Sequence, residues 1–196
     1  MNEPWSVLET GDRFRIVSYS GRKYEASFLL AGRQDAGLYV RLLDGKLARF
    51  SPGRLIWTSL EKIGTSSEVL RAGDDVLVQT KDGPEALGKL TEPPTDRLLL
   101  KTSQGKLVAV PFDNTIEGTF RLLFPASDLR PGDEFLVRSS SGREYRGRAS
   151  AVDPERVTAT LLAGGEPVAI RVEHLDLRSL YVLIPLNLLA TSTPHS

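Results

Sequence analysis

Metal-binding residues are scarce in this chain of 196 residues. Histidine occurs only as His174 and His195, which are far from each other in the sequence, and there is no cysteine. A metal site needs several nitrogen, sulfur or oxygen ligands that converge on one point, and a disulfide bond needs two cysteines. We therefore expect no metal site, no disulfide bond and no cofactor.

The side chains that could catalyse a reaction lack the partners that catalysis requires. The acidic pairs Asp74–Asp75 and Asp133–Glu134 each follow a glycine, which is typical of solvent-exposed turn carboxylates rather than of an acid–base couple. The serine run 139–141 has no histidine at a spacing that would create a nucleophile. The sequence also has no glycine-rich phosphate-binding motif. We expect that the protein is not an enzyme.

Residues suited to binding are concentrated near the N-terminus. Residues 5–63 contain ten Lys or Arg against six Asp or Glu, whereas 64–124 contain seven against nine and 125–185 contain eight against nine. Eight of the fourteen aromatic residues of the chain also lie within 5–63. Exposed aromatic rings beside arginines are typical of protein-binding hot spots and of surfaces that stack on nucleic-acid bases.

The elements that must position these residues follow from an internal repeat, whose copies begin at Leu8, Leu70 and Leu129. Each copy starts with Leu-x-x-Gly-Asp, continues with alternating apolar residues, and has a second glycine ten residues after the first. A further glycine turn and a closing apolar stretch follow in every copy, and this shared register indicates a true repeat. We divide the chain into a first repeat (1–63), a second repeat (64–124), a third repeat (125–185) and a polar tail (186–196).

Period-two alternation predicts five short β-strands in each repeat. The motif S-G-R-x-Y occurs at 20–24 and again at 141–145, and we interpret it as a hairpin tip followed by the first core residue of the second strand. Five short strands bury a core if their sheet bends into a small closed barrel. The interior of the first repeat should contain Phe14, Ile16, Tyr24, Phe28, Val40, Leu42 and Leu60. The matching interior of the third repeat should contain Phe135, Val137, Tyr145, Ala149, Ala159, Leu161 and Leu180.

The Leu-x-x-Gly-Asp start, the glycine spacing, the second turn and the short link before the last strand resemble Src-homology-type small barrels. This superfold includes Tudor, KOW and Sm-like modules, and the resemblance extends from Leu8 to Ile184 in three copies. It implies an all-β chain of three tandem five-stranded small β-barrels. The short linkers 64–69 and 125–128 imply a semi-rigid array.

The strand assignment places Tyr39 and Arg41 on the face opposite Val40, and Trp57 on the face opposite Leu60. We therefore expect one binding surface on the first repeat, with part of it at the tip of the first hairpin. Its members are Arg22, Lys23, Tyr39, Arg41 and Trp57. The alternative is that Tyr39 and Trp57 pack against the second repeat or the N-terminal segment.

The chain has 25 basic and 25 acidic residues, so it lacks the strongly basic surface that nonspecific nucleic-acid binding requires. We expect a noncatalytic interaction scaffold that binds a protein partner through the first repeat. One alternative is a KOW-like or Sm-like module for RNA or single-stranded DNA, and the other is a structural or accessory subunit of a larger assembly. Neither a membrane-spanning run nor a secretory signal is evident, so we expect a cytoplasmic protein without membrane contact.

Overall fold

The computed structural model describes residues 3–32, 37–66, 69–162 and 164–188. Within these ranges the regular elements are β-strands joined by turns and by three-residue 3-10 turns. The prediction of an all-β chain is confirmed. The tail histidine, His195, and the centres of the first linker and of the loop after the second strand lie outside the described residues.

The first sheet consists of the five strands of the first repeat, in the order β4-β3-β2-β1-β5. Strand β1 is antiparallel to β2 and β5, and β3 is antiparallel to β4; in the β1–β2 hairpin, Ile16 lies opposite Tyr24. The strands are β1 (Asp12–Ser18), β2 (Lys23–Ala31), β3 (Leu38–Leu42), β4 (Leu47–Phe50) and β5 (Leu55–Thr65).

The second sheet has ten strands, in the order β14-β13-β12-β11-β15-β10-β6-β7-β8-β9. The second repeat contributes β6 (Asp75–Val78), β7 (Ala86–Leu90), β8 (Arg97–Lys101), β9 (Leu107–Pro111) and β10 (Arg121–Pro125). The third repeat contributes β11 (Glu134–Ser139), β12 (Glu144–Val152), β13 (Arg156–Leu161), β14 (Val168–Arg171) and β15 (Leu175–Pro185). The 3-10 turns are Pro52–Arg54, Phe112–Asn114 and Val172–His174, each directly before or shortly before the last strand of its repeat.

The prediction that each repeat closes into a barrel is not confirmed. In the described residues β4 and β5 form the two edges of the first sheet, and β14 and β9 form the edges of the second. Alternation in a sequence specifies which side chains face a core, but it does not specify whether the outermost strands hydrogen-bond to each other. The sheets are therefore antiparallel and open.

The described residues form two compact units. One comprises those within 1–30, 38–122 and 185–188, and the other comprises those within 31–37 and 123–184. The first unit thus holds most of the first and second repeats, and the second unit holds most of the third repeat. The division into three domains remains a prediction.

The Leu-x-x-Gly-Asp motif forms the same turn in all three repeats. Its glycines have φ angles of 94°, 94° and 93° at Gly11, Gly73 and Gly132, a region that side chains with a Cβ rarely adopt. The aspartate that follows accepts a hydrogen bond of 2.8 Å from the backbone amide three residues earlier. These aspartates are Asp12, Asp74 and Asp133, and all three are buried.

The expectation that the turn carboxylates are solvent-exposed is therefore wrong for Asp74 and Asp133. Each carboxylate folds back onto its own turn, which satisfies a backbone amide that would otherwise lack a partner. The following acidic residues are partly exposed, and Asp75 pairs with Lys89 at 2.9 Å. The motif is thus a structural cap, and the hydrogen bond to the turn amide explains why aspartate follows the glycine.

In every repeat, a hydroxyl group in the last strand or shortly before it accepts a hydrogen bond from a backbone amide at the end of the first strand. The register of β1 on β5 shifts between Arg15 and Val17. The backbone amide of Val17 donates to Ser59 Oγ at 2.9 Å. Ser59 in turn donates to a carbonyl of its own strand at 2.6 Å. Ser179 and Thr119 make the equivalent pair of bonds in the third and second repeats.

The predicted core of the first repeat is largely confirmed. Phe14, Ile16, Phe28 and Val40 are buried, whereas Tyr24, Leu42 and Leu60 are partly exposed. The third repeat follows the same pattern, with buried Phe135, Val137, Ala149, Ala159 and Leu180 and partly exposed Tyr145 and Leu161. Tyr24 and Tyr145 hold the same place at the margin of each core, next to the hairpin tip.

Candidate binding surface

The first S-G-R-x-Y motif forms the tip of the β1–β2 hairpin, as predicted. Gly21 has a φ of 79°, and its amide donates to the Ser18 carbonyl at 2.8 Å. The Ser18 and Ser20 hydroxyls are 2.8 Å apart, and Ser18 Oγ also accepts from the Arg22 amide at 3.1 Å. These bonds hold the tip in one conformation, so the arginine that follows has a fixed starting point.

Arg22 and Lys23 are exposed, and Arg22 lies on an aromatic ring. Its guanidinium carbon is 5.2 Å from the centre of the Tyr24 ring, within the range of a cation–π contact. Tyr24 in turn packs on Phe50 with ring centres 4.7 Å apart. The hairpin tip therefore presents two cations, of which one is oriented by a supported ring.

A cleft of about 500 Å³ opens beside this tip, between the β1–β2 turn, the end of β4 and the 3-10 turn Pro52–Arg54. We call it the first-repeat cleft. Its lining includes no acidic residue, and its polar and aromatic groups are Ser18, Ser20, Ser51, Tyr19, Tyr24 and Phe50. Tyr19 is 73% exposed, which is unusual for an aromatic ring and places it at the mouth of the cleft.

The first-repeat cleft is basic. Arg54 and Arg49 line it, and the guanidinium of Arg49 also lies 6.0 Å from the centre of the Tyr39 ring. Within the described residues, Arg54 and Arg22 make no ion pair with a carboxylate. Guanidinium groups bind planar carboxylates and phosphates through paired N–H donors, so this cleft can bind an anionic group.

The acidic residue nearest to this surface in the hairpin, Glu25, is engaged elsewhere. Its carboxylate accepts hydrogen bonds from Arg15 at 3.0 Å and from Arg13 at 2.6 Å. The bond from Arg15 and then the bond from Arg13 hold the pKa of Glu25 below its ordinary value. Glu25 is therefore ionised at neutral pH and is paired within its own hairpin.

Trp57 supports the cleft from the side of the 3-10 turn. Its indole N–H donates to the Pro52 carbonyl at 3.1 Å, and its ring lies 5.3 Å from that of Trp5, at an angle of 51°. Trp57 is partly exposed. The ring thus packs on the N-terminal segment, as the alternative interpretation of the sequence states, and it also fixes the turn that carries Arg54.

The expectation that Tyr39 and Arg41 are exposed is wrong. Each side chain is 3% exposed, because both faces of β3 are covered. A strand that is buried on both faces breaks the rule that alternate residues face solvent. Arg22 and Lys23 are thus exposed at the hairpin tip and Trp57 holds the 3-10 turn, whereas Tyr39 and Arg41 are buried.

Arg41 joins the first repeat to the second inside the first unit. Its guanidinium donates to Asp74 Oδ2 at 2.7 Å and to Asp74 Oδ1 at 3.1 Å, which makes the pair bidentate. It also donates to the carbonyls of Val69 and Gly45, each at 3.0 Å. A buried arginine with four such bonds is a structural tie, since ionised groups are buried only when they are paired.

Sequence reasoning missed Tyr19, Arg49 and Arg54 as members of the surface. Tyr19 was visible as an aromatic residue directly before the S-G-R-x-Y motif, and Arg54 as a cation in the short link before β5. Their convergence depends on the 3-10 turn, which returns the chain to the hairpin tip, where the Tyr19 amide donates to the Arg54 carbonyl at 3.0 Å. That contact joins residues 35 positions apart, so no local sequence pattern predicts it.

The described residues contain no group of three or more His, Asp or Glu side chains arranged to hold a metal ion. Helices among them are too short and too polar to cross a membrane. The sequence matches no protein-family model, and the comparison with curated proteins likewise found no match.

Proposed function

We propose that this protein is a noncatalytic interaction scaffold that binds an acidic segment of a protein partner in the first-repeat cleft. The observation that carries the proposal is the pairing of exposed tyrosine with arginines that have no carboxylate partner. Arg54 lines the cleft together with Tyr19, Arg22 is exposed on the adjoining hairpin tip, and the lining contains no acidic side chain. Tyrosine and arginine are the residue types most enriched in protein-binding hot spots.

Lys23 adds a second cation at the tip of the hairpin, and Trp57 holds the turn that carries Arg54. A surface held in this way loses little conformational entropy when a partner binds, so more of the contact energy contributes to affinity. The same preorganisation favours a short segment of a partner over a broad flat surface, because the binding groups surround a cleft.

The balance of charge favours a protein over a nucleic acid. The chain has equal numbers of acidic and basic residues, and only the first repeat has an excess of cations. Nucleic-acid binding draws its affinity from many phosphate contacts, whereas an acidic peptide needs a few carboxylate contacts. The antiparallel order β4-β3-β2-β1-β5 contains the five strands expected of a Src-homology-type small barrel, although the sheet is open, and on that resemblance we propose that the ligand binds between the loops.

The test measures binding of a fluorescent oligoglutamate peptide by fluorescence anisotropy. We expect saturable binding by the intact protein, and we expect the combined change Arg22→Ala and Arg54→Ala to weaken binding to the first-repeat cleft at least tenfold. Each lost charge-assisted hydrogen bond contributes about 1.5 kcal/mol or more, which corresponds to roughly a tenfold change per contact.

The matched control is the pair Arg97→Ala and Lys101→Ala, which removes two exposed cations from β8. This control should leave peptide affinity nearly unchanged. Equal losses in both double variants would show that the peptide responds to net charge alone, and the proposal would then be wrong.

Nucleic-acid binding is the second candidate, because Tyr19 is exposed beside an arginine and could stack on a base. A fluorescent oligothymidylate of similar charge tests it in the same assay. Tighter binding of the oligothymidylate than of the peptide, with loss in Tyr19→Ala, would favour the nucleic-acid function over the protein-binding function.

A further inference from the structure

We propose that the third repeat carries a second binding cleft for an acidic peptide, an inference that rests on the proposed function of the first. The proposal comes from a second S-G-R-x-Y hairpin whose contacts repeat those of the first. Gly142 has a φ of 84°, and the guanidinium of Arg143 lies 5.2 Å from the centre of the Tyr145 ring. The corresponding distance in the first repeat is also 5.2 Å.

The hydroxyl groups that fix the tip are repeated as well. The Ser139 and Ser141 hydroxyls are 2.9 Å apart, and the Arg143 amide donates to Ser139 Oγ at 3.0 Å. Ser140 donates its amide to the carbonyl of His174, just as Tyr19 donates to Arg54 in the first repeat. The hairpin tip and the 3-10 turn are therefore joined in the same way in both repeats.

A cleft of about 430 Å³ lies beside this second tip, and we call it the third-repeat cleft. Its cationic groups are Arg143 and Arg171, with His174 at the place that Arg54 holds in the first repeat. Its lining contains no acidic residue. Arg143 makes no ion pair within the described residues, and its exposed guanidinium, oriented by the tyrosine ring, is the main anion-binding group.

The two clefts should differ in their affinity for an acidic peptide. Glu173, on the same 3-10 turn, lies 3.3 Å from Arg171 and 3.6 Å from His174, and so competes with a ligand for both. The lining is also more apolar, with Val168, Ala169 and Ile170 along β14. We therefore expect the third-repeat cleft to bind the peptide several-fold more weakly than the first, with a contribution from apolar contacts.

The second repeat also has a cleft beside its 3-10 turn, but it lacks the arginine–tyrosine pair, and Asp113 is part of the lining. The positions of the arginine and tyrosine hold Pro84 and Ala86, so no ring can orient a cation there. The nearby Lys81 donates to the Asp113 carbonyl at 2.6 Å and is thus held by its own 3-10 turn. Two of the three repeats carry the binding arrangement, and these are the two with S-G-R-x-Y.

Titration calorimetry with the oligoglutamate peptide tests the proposal through the number of sites. The intact protein should bind two peptides, and the double variant Arg143→Ala with Arg171→Ala should bind one, at the tighter affinity. The double variant Arg22→Ala with Arg54→Ala should also bind one, at the weaker affinity. The control variant Arg138→Ala with Arg178→Ala, which removes two exposed cations of the third repeat outside the cleft, should still bind two.

The outcomes separate the two proposals. A single site in the intact protein that disappears with Arg22 and Arg54 would overturn the third-repeat site and leave the proposed function intact. A single site that disappears with Arg143 and Arg171 would support the third-repeat site and overturn the first. Circular dichroism melting of each variant shows whether it is folded, and Arg143→Lys, which keeps the charge, should retain two sites with weaker binding at the third repeat.

Discussion

The pair of Arg41 and Asp74 shows that a residue expected to be exposed can become buried through a contact with another repeat. Asp74 already accepts the Arg71 amide within its own turn, and Arg41 adds two charge-assisted bonds from another repeat. Both side chains are nearly excluded from solvent, at 3% and 9% exposure. Low solvent access strengthens the pair and also makes the loss of either partner costly.

Replacing Arg41 with methionine should destabilise the protein by about 3 kcal/mol, because it leaves a buried carboxylate without its cation. Urea denaturation measures this change. The matched control is Arg13→Ala, which removes a partly exposed pair with Glu25 and should lower the free energy of unfolding far less, because solvent screens an exposed ion pair.

A second variant tests the energetic coupling between Arg41 and Asp74 directly. Asp74→Asn removes the charge but retains an oxygen that can accept the Arg71 amide. The combined variant Arg41→Met with Asp74→Asn should be less destabilised than the sum of the two single variants. Simple additivity, or an Arg41→Met loss no larger than that of Arg13→Ala, would contradict a buried ionic tie.

Glu25 supplies a pH-dependent test of the first hairpin. The hydrogen bond from Arg15, followed by that from Arg13, lowers its pKa in the folded protein. A lowered pKa means that Glu25 stabilises the fold above its unfolded pKa, and that this contribution is lost as the pH falls through its folded pKa. Carboxyl NMR titration should show Glu25 titrating below its ordinary value, with a larger upward shift in Arg15→Ala than in Arg13→Ala. A titration at the ordinary value in the intact protein would contradict the paired geometry.

Among the strands, the second passes very close to the third in the second and third repeats. In the third repeat this close approach occurs at Gly147 on β12, where a Cβ atom would lie 2.5 Å from the Thr160 carbonyl oxygen. Gly88 holds the corresponding place in the second repeat, with 2.9 Å to the Lys101 carbonyl. The first repeat has Ala26 there, so its strands accommodate a Cβ that the other two repeats do not.

Gly147→Ala should destabilise the protein by about 1–3 kcal/mol, since the backbone of β13 must shift to accept the added carbon. Chemical denaturation with urea measures the effect. Gly53→Ala is the matched control, because nothing lies within 4 Å of its Cβ position. If the two variants lose the same stability, strand proximity is not the reason for glycine at 147.

For binding of a nucleic acid by the whole molecule, the distribution of charge along the chain matters more than the net charge. The chain is neutral overall, yet the first repeat carries ten basic against six acidic residues while the others carry a slight excess of acid. A polyanion that follows the surface beyond the first-repeat cleft therefore meets repulsion, and the contacts available to a nucleic acid are few.

Oligothymidylate binding should accordingly depend only weakly on salt. With about three phosphate contacts, the logarithm of the affinity should fall with the logarithm of salt concentration with a slope near −2, from roughly 0.7 per contact on single strands. Anisotropy titrations between low and moderate salt measure the slope. A slope of about −4 or steeper would indicate an extended nucleic-acid surface and would count against the protein-binding proposal.

Many of these structural features could be predicted from the sequence alone. The turn glycines and the S-G-R-x-Y hairpins each depend on residues close in sequence, and local backbone preference is enough to specify them, whereas the burial of the aspartates that follow the glycines was not predicted. Period-two alternation likewise predicted Phe14, Ile16 and Val40 as core residues, because side chains of a strand face alternate sides. These features recur because similar short sequence motifs recur in the repeats.

Contacts between distant residues could not be read in the same way. Arg41 appeared to face solvent because alternation describes one strand in one sheet, whereas its burial comes from Asp74 in the next repeat. Arg54 and Tyr19 belong to one cleft because a 3-10 turn brings the chain back to the hairpin. Whether a polar side chain is exposed depends on what packs over it, and that is set by long-range docking rather than by local pattern.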